Sequence, residues 1–169
     1  MLKELVRDVP DFPKEGIIFK DITPLFRNPS SLKETIDKIS DRYAGQKIDV
    51  VVGTEARGFL IGPAIAMKLN AGFVPIRKPG KLPCETATMT YELEYGSDTV
   101  EMHKDAISNN DSVLMVDDLL ATGGTMAASC DLVESLGGKI VGCAFIIELG
   151  FLNGKEKLGK FDVFSLLHY

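Results

Sequence analysis

Apolar residues along the chain fall into two rhythms. IDVVVG (48–53), FVPI (73–76), SVLMVDD (112–118) and KIVGCAFIIEL (139–149) are short, rich in β-branched residues and nearly continuous. That is the pattern of strands buried on both faces. VFSLL (163–167) predicts a fifth strand. Helical spacing appears after Pro29, where Leu32, Ile36, Ile39 and Tyr43 recur on one face and Ser31 and Glu34 fit a capping box. GFLIGPAIAMKL (58–69) predicts a second helix, and a third runs from LATGGT to about Leu136, stopped by Gly137-Gly138. Strands alternating with helices imply right-handed crossovers and an α/β fold with a mainly parallel central sheet flanked by helices.

The remaining segments are punctuated. Residues 2–7 predict a short helical stretch, and DFPKEGIIFKDITPLF (11–26) an ordered loop or short strand around Ile17, Ile18 and Phe19. RKPGKLPCETATMT (77–90) has two prolines, a glycine and no apolar period, and predicts a fourteen-residue loop of the length usually reserved for function. YELEYGSDTVEM (91–102) predicts a hairpin turning near Gly96-Ser97. With 169 residues and no linker or repeat, a single domain over 1–169 is expected.

Composition narrows the function. The 24 acidic and 19 basic residues leave a net charge of −5, which argues against a protein that coats nucleic acid or an anionic membrane. Cys84, Cys130 and Cys143 are too few and too scattered for a disulfide framework or a CxxC metal site. The N-terminus carries charges at Lys3, Glu4, Arg7 and Asp8 and lacks the apolar core of a secretory signal. The apolar stretches near 59–67 and 140–152 are interrupted before they reach the length of a membrane span. A soluble, cytoplasmic protein is expected. His103 and His168 have no partners at ligand spacing and read as structural.

In parallel sheets ligands sit at the carboxyl ends of the strands. Three such ends carry conspicuous residues: GTEARG, RKPGK and DDLLATGGT. In the last, Asp117 and Asp118 end an apolar run, and Ala121, Thr122, Gly123, Gly124 and Thr125 form a small-residue turn entering a helix. Glycines let backbone amides converge on an anion, threonines add hydroxyl donors, and the helix N-terminus adds partial positive charge. Two carboxylates beside a phosphate cradle would repel the phosphate unless they serve something neutral or cationic. Ribose hydroxyls with a magnesium ion nearby meet that requirement. Arg77, Lys78 and Lys81 place three cations within five residues of an otherwise acidic chain, next to the long loop. Such a cluster is usually a solvated surface run, but its place at a strand end beside a long loop favours a site that steadies a polyanion, with the loop 77–90 expected as a lid that excludes water.

VLMVDDLLATGGT (113–125) resembles the phosphoribosyl-diphosphate (PRPP) motif of the type I phosphoribosyltransferases. DFPKEGIIFKDITPL (11–25), EARGFLIG (55–62), RKPGKLP (77–83), YELEYG (91–96) and FSLL (164–167) extend the resemblance over nearly the whole chain, toward the adenine-specific branch. It implies a type I fold with a small N-terminal hood from about 1–28, and conversion of adenine and PRPP to AMP and diphosphate with Mg²⁺ bound mainly through PRPP. It also implies roles. Asp117 and Asp118 would bind the ribose hydroxyls, and residues 121–125 the 5-phosphate. Arg57, Arg77, Lys78 and Lys81 would face the diphosphate, beside a strained peptide between Glu55 and Ala56. Glu94 would manage the proton on adenine N7, and Tyr95 would close over the ribosyl group. Ile18, Phe19 and Lys20 would read the purine, with Leu119 on its other ring face. Members of the family are usually homodimers. Two other readings stay open here: a transferase for 6-oxopurines, which would not be expected to carry 11–25 and LEYG, and a non-catalytic PRPP sensor.

Overall fold

The computed structural model describes residues 1–93 and 96–169, so the expectations for Glu94 and Tyr95 lie outside the described residues. The chain divides into two compact units, Met1–Lys38 and Ile39–Tyr169. The first extends ten residues beyond the expected hood, and the division falls inside a helix.

In the first unit a 3-10 turn (Leu2–Leu5) leads into β1 (Arg7–Pro10), which pairs antiparallel with β2 (Ile18–Asp21). The expected helical stretch 2–7 is therefore cut short, because Arg7 is drawn into the strand pair opposite Asp21. Cross-strand ion pairs hold the register: Arg7 to Asp21 at 2.5 Å and Lys20 to Asp8 at 2.6 Å. Asp21 also accepts the Thr23 amide at 2.9 Å at the start of α1 (Thr23–Arg27), and hydrogen bonds from the Thr23 side chain, its amide and Arg7 hold the Asp21 carboxyl down at about 2. The next helix, α2, covers Pro29–Tyr43 as its period predicts. Its cap is different: the Asn28 side chain accepts the Ser31 amide at 3.1 Å, while Glu34 reaches Lys38 at 2.6 Å. The Ser31–Glu34 capping box does not form because the helix already starts at Pro29, two residues upstream.

In the second unit five parallel strands stand in the order β4 (Gly72–Ile76), β3 (Val50–Thr54), β7 (Ser112–Leu120), β8 (Lys139–Glu148), β9 (Val163–His168). Helices α3 (Gly62–Leu69) and α4 (Gly124–Ser135) connect them. Val51, Val52, Leu114, Met115, Val116, Cys143, Ala144, Phe145 and Ile146 have no exposed surface, as strands covered on both sides require. From β3 the chain crosses outward to β4; from β7 it crosses the other way to β8. The order therefore reverses between β3 and β7, and the crevice at their carboxyl ends is the place where such sheets bind ligands.

A separate antiparallel arm, β5 (Thr86–Leu93) and β6 (Gly96–His103), corrects one expectation. The fourteen-residue loop shrinks: Arg77 bridges to Glu101 through two backbone hydrogen bonds of 2.9 and 2.8 Å, and the strand begins at Thr86. TATMT alternates weakly in apolar character but is rich in threonine, and β6 supplies its missing hydrogen-bond partners. Val100 and Met102 anchor the arm in the core at 2% and 0% exposure. The arm is the expected hairpin, with Gly96 and Ser97 opening β6 opposite Leu93 and Glu92.

Candidate active site

β7 continues two residues past Asp118, to Leu120, so the two acids sit within the strand rather than after it. The bend that follows presents Ala121–Thr125 to a cleft of about 260 Å³. Thr54–Arg57 after β3, Ile76–Lys78 after β4 and Asp117–Met126 line most of it. Arg57, Glu55, Ala56, Arg77, Lys78, Asp117, Asp118, Leu119 and Ala121–Thr125, predicted from separate motifs, thus converge on one crevice. Lys81 reaches its edge through Glu55. Ile18, Phe19 and Lys20 lie on β2 of the first unit; Ile18 is 57% exposed, and the Lys20 ammonium is held by Asp8.

The cradle is shaped by backbone packing. Gly123 has φ 77°, and a Cβ there would lie 2.4 Å from the Gly154 carbonyl oxygen. A Cβ on Gly154 would in turn lie 2.1 Å from the Ala121 carbonyl oxygen. Two chain segments therefore meet main chain to main chain, which only glycine permits. α4 starts at Gly124, so its unpaired amides open toward the cleft.

The acids are electrostatically tense. Burial, then the neighbouring Asp118 charge, pushes the Asp117 carboxyl well above the usual range. Burial also pushes Asp118 up, opposed by the Arg57 guanidinium, whose Nε lies 2.9 Å from its Oδ2. The Asp118 amide donates to Asp117 Oδ1 at 2.8 Å. Arg57 can approach because Gly58 leaves room; a Cβ there would meet the Val116 carbonyl oxygen at 2.9 Å.

The Glu55–Ala56 peptide is cis. Glu55 acts through its carboxylate as an organiser of the basic segment. It accepts the Lys78 amide at 3.0 Å and Arg77 Nε at 3.3 Å, and pairs with the Lys81 ammonium. Burial alone would raise its pKa; these donors outweigh it and hold the carboxyl down at about 2. Lys78 pairs with Asp98, and the Tyr91 hydroxyl donates to the same carboxylate at 3.0 Å. Tyr91 also lies 2.9 Å from Thr125 Oγ1, joining the arm to the cradle. Burial, then hydrogen bonding from Thr125, sets opposing influences on Tyr91, with a net upward shift. Sequence reasoning missed Tyr91, Asp98 and Gly154. A tyrosine in an alternating strand reads as packing, and nothing local links 154 to 123.

The phosphoribosyl transferase domain signature matches residues 22–166. An adenine phosphoribosyltransferase of Koribacter versatilis is 61% identical, covering 99% of this chain and 92% of its own. One from Geotalea daltonii is 60% identical over 99% and 98%. The structure of adenine phosphoribosyltransferase from Thermoanaerobacter pseudethanolicus matches with a TM-score of 0.97 and 50% identity, covering 99% of this chain and 98% of its own. The Saccharomyces cerevisiae enzyme, complexed with an iminoaltritol bisphosphate and adenine, matches with a TM-score of 0.92 and 47% identity over 98% and 96%. The chain belongs to the phosphoribosyl transferase family, and within it to the adenine phosphoribosyltransferase branch.

Proposed function

We propose that this chain transfers the 5-phosphoribosyl group of PRPP to adenine, releasing diphosphate and forming AMP in purine salvage. The observation that carries this reading is the junction of acid pair, glycine cradle and cation cluster in one cleft, on a chain about 60% identical to adenine phosphoribosyltransferases. Neither the 6-oxopurine nor the sensor reading has a comparable observation in its favour.

In this reading the amides of residues 121–125 and the threonine hydroxyls hold the 5-phosphate. Asp117 and Asp118 accept from the two ribose hydroxyls, which offsets the cost of keeping two acids together in a buried place. The bond from the anomeric carbon to diphosphate breaks ahead of the new bond to N9 of adenine, in an oxocarbenium-like displacement. Arg57, with Arg77, Lys78 and Lys81, steadies the charge that gathers on the departing diphosphate. Glu94 handles the proton at N7, and Tyr95 covers the ribosyl group. Leu119, which lines the cleft, covers one ring face of the purine.

The donors suit a magnesium ion carried largely by its ligand. Among the described residues no three His, Cys, Asp or Glu side chains cluster as a metal site, and the cleft offers the two carboxylates of Asp117 and Asp118. When bound, such an ion screens the diphosphate charge. Leu60 and Met67, 57% and 83% exposed, offer apolar surface to a second copy, which supports a homodimer; the proposed place of action is the cytoplasm.

The test is product formation with PRPP, Mg²⁺ and adenine, hypoxanthine or guanine in parallel. AMP from adenine, with the oxopurines near background, is the expected result. IMP or GMP instead would remove the assignments of Glu94 and of Ile18–Lys20. Binding of PRPP without turnover would turn the chain into a sensor.

A further inference from the structure

Gly154 opens the 3-10 segment Gly154–Leu158 and is pressed against the cradle at Ala121 and Gly123. In a 3-10 helix residues three apart eclipse one another. Lys157 therefore rises over Gly154, on the side that touches the cradle. Its Nζ lies 3.9 Å from the position a Cβ would take on Gly124, the first residue of α4.

Other cations of the cleft already face carboxylates: Arg57 faces Asp118, Arg77 and Lys81 face Glu55, and Lys78 faces Asp98. Among the described residues Lys157 has no such pair. It is an exposed, flexible point charge beside amides that already favour an anion.

We propose that Lys157 is a further residue of the 5-phosphate site, whose ammonium swings onto a phosphate oxygen when the cradle is filled. This rests on the reading of residues 121–125 as the phosphate cradle. No side chain at Gly124 stands between Lys157 and the cradle, and the Tyr91 ring edge, 3.6 and 3.7 Å from the same Cβ position, flanks the approach. Lys155, two residues away, carries the same charge on the same segment but does not eclipse Gly154, and it serves as an internal control.

The test measures binding of AMP and adenosine, and steady-state kinetics, for wild type, K157M, K157R and K155M. K157M should bind AMP about tenfold more weakly, as expected for loss of one charge-assisted hydrogen bond. Its adenosine binding should be unchanged. KM for PRPP should rise by a similar factor, with KM for adenine and kcat nearly constant. K157R should recover most of the loss, and K155M should resemble wild type. Equal losses in K155M and K157M would reduce the effect to long-range charge and overturn the proposal. So would a K157M that binds AMP like wild type, or one that loses adenosine as much as AMP. A wild type that binds adenosine no less tightly than AMP would instead overturn the cradle reading itself, and Lys157 with it.

Discussion

The cleft contains two anion sites built on opposite principles. The cradle at 121–125 is main chain: glycines against glycine, amides at a helix start, its shape set by contacts that leave no space for a Cβ. The basic segment from Arg77 to Lys81 is side chain: each cation is aimed by a carboxylate, Glu55 or Asp98. The main-chain part of the cradle cannot adjust, and Lys157 adds a charge to it only from outside. The side-chain site can exchange partners, its charges being paired while they wait. In the proposed reaction that difference has a use, since one phosphate stays with the product and the diphosphate must leave.

The comparison is broken most severely by filling the cradle. Gly123→Ala should collide with Gly154, and Gly154→Ala with Ala121. Each should cost about 3 kcal/mol in urea unfolding and at least about a hundredfold in kcat/KM. A stable, active G123A would mean that the two segments can separate and that the cradle is not rigid. Removing the charge nearest the acids comes next. Arg57→Met leaves Asp118 buried without its guanidinium and should lower kcat about a hundredfold, with secondary structure by circular dichroism preserved. Unchanged turnover would place Arg57 outside the reaction.

Glu55→Gln sharpens the side-chain half. Arg77 and Lys81 lose their aim, and kcat/KM should fall about tenfold. Because the Glu55 pKa is lowered, from 4.5 to about 2, its stabilising contribution is complete above about pH 4.5 and fades as pH falls through about 2. Melting curves of wild type and E55Q should stay separated by a constant amount from neutral pH to about 5 and converge in stronger acid. A gap that persists at pH 2 would show that the carboxylate acts by shape alone.

The smallest effect concerns stability without ligand. The Asp117 carboxyl is raised, so the folded state holds its proton more tightly than the unfolded chain does. Its contribution therefore weakens stability progressively as pH rises above the unfolded value near 4. Asp117→Asn should stabilise the empty protein by about 1 kcal/mol at neutral pH, with the gain shrinking in acid. Loss of stability in D117N would instead mean that the charged pair is satisfied inside the fold.

Much of this architecture was legible because its signals are local. β3, β7 and β8 announce themselves as apolar runs, and the cradle follows Asp117 and Asp118 within seven residues, so strand, acids and anion-binding turn form one readable string. Local rules also failed where a competitor was close at hand. Asn28 took the cap assigned to Ser31, and β6 turned the last five residues of the presumed loop 77–90 into a strand. The partners that aim the site are a different matter. Glu55 meets Lys81 across 26 positions, and Tyr91 meets Thr125 across 34. Periodicity reports which face of an element is buried, not which element will adjoin it. Seating β7 beside β3 brings Arg57 to Asp118, and seating β8 on its other side brings Gly154 to Gly123. Residue types and their local order were thus determined by the sequence itself. Which cation each carboxylate restrains, and which backbone closes the cradle, was decided by tertiary packing, because those interactions exist only between strands that the whole fold makes neighbours.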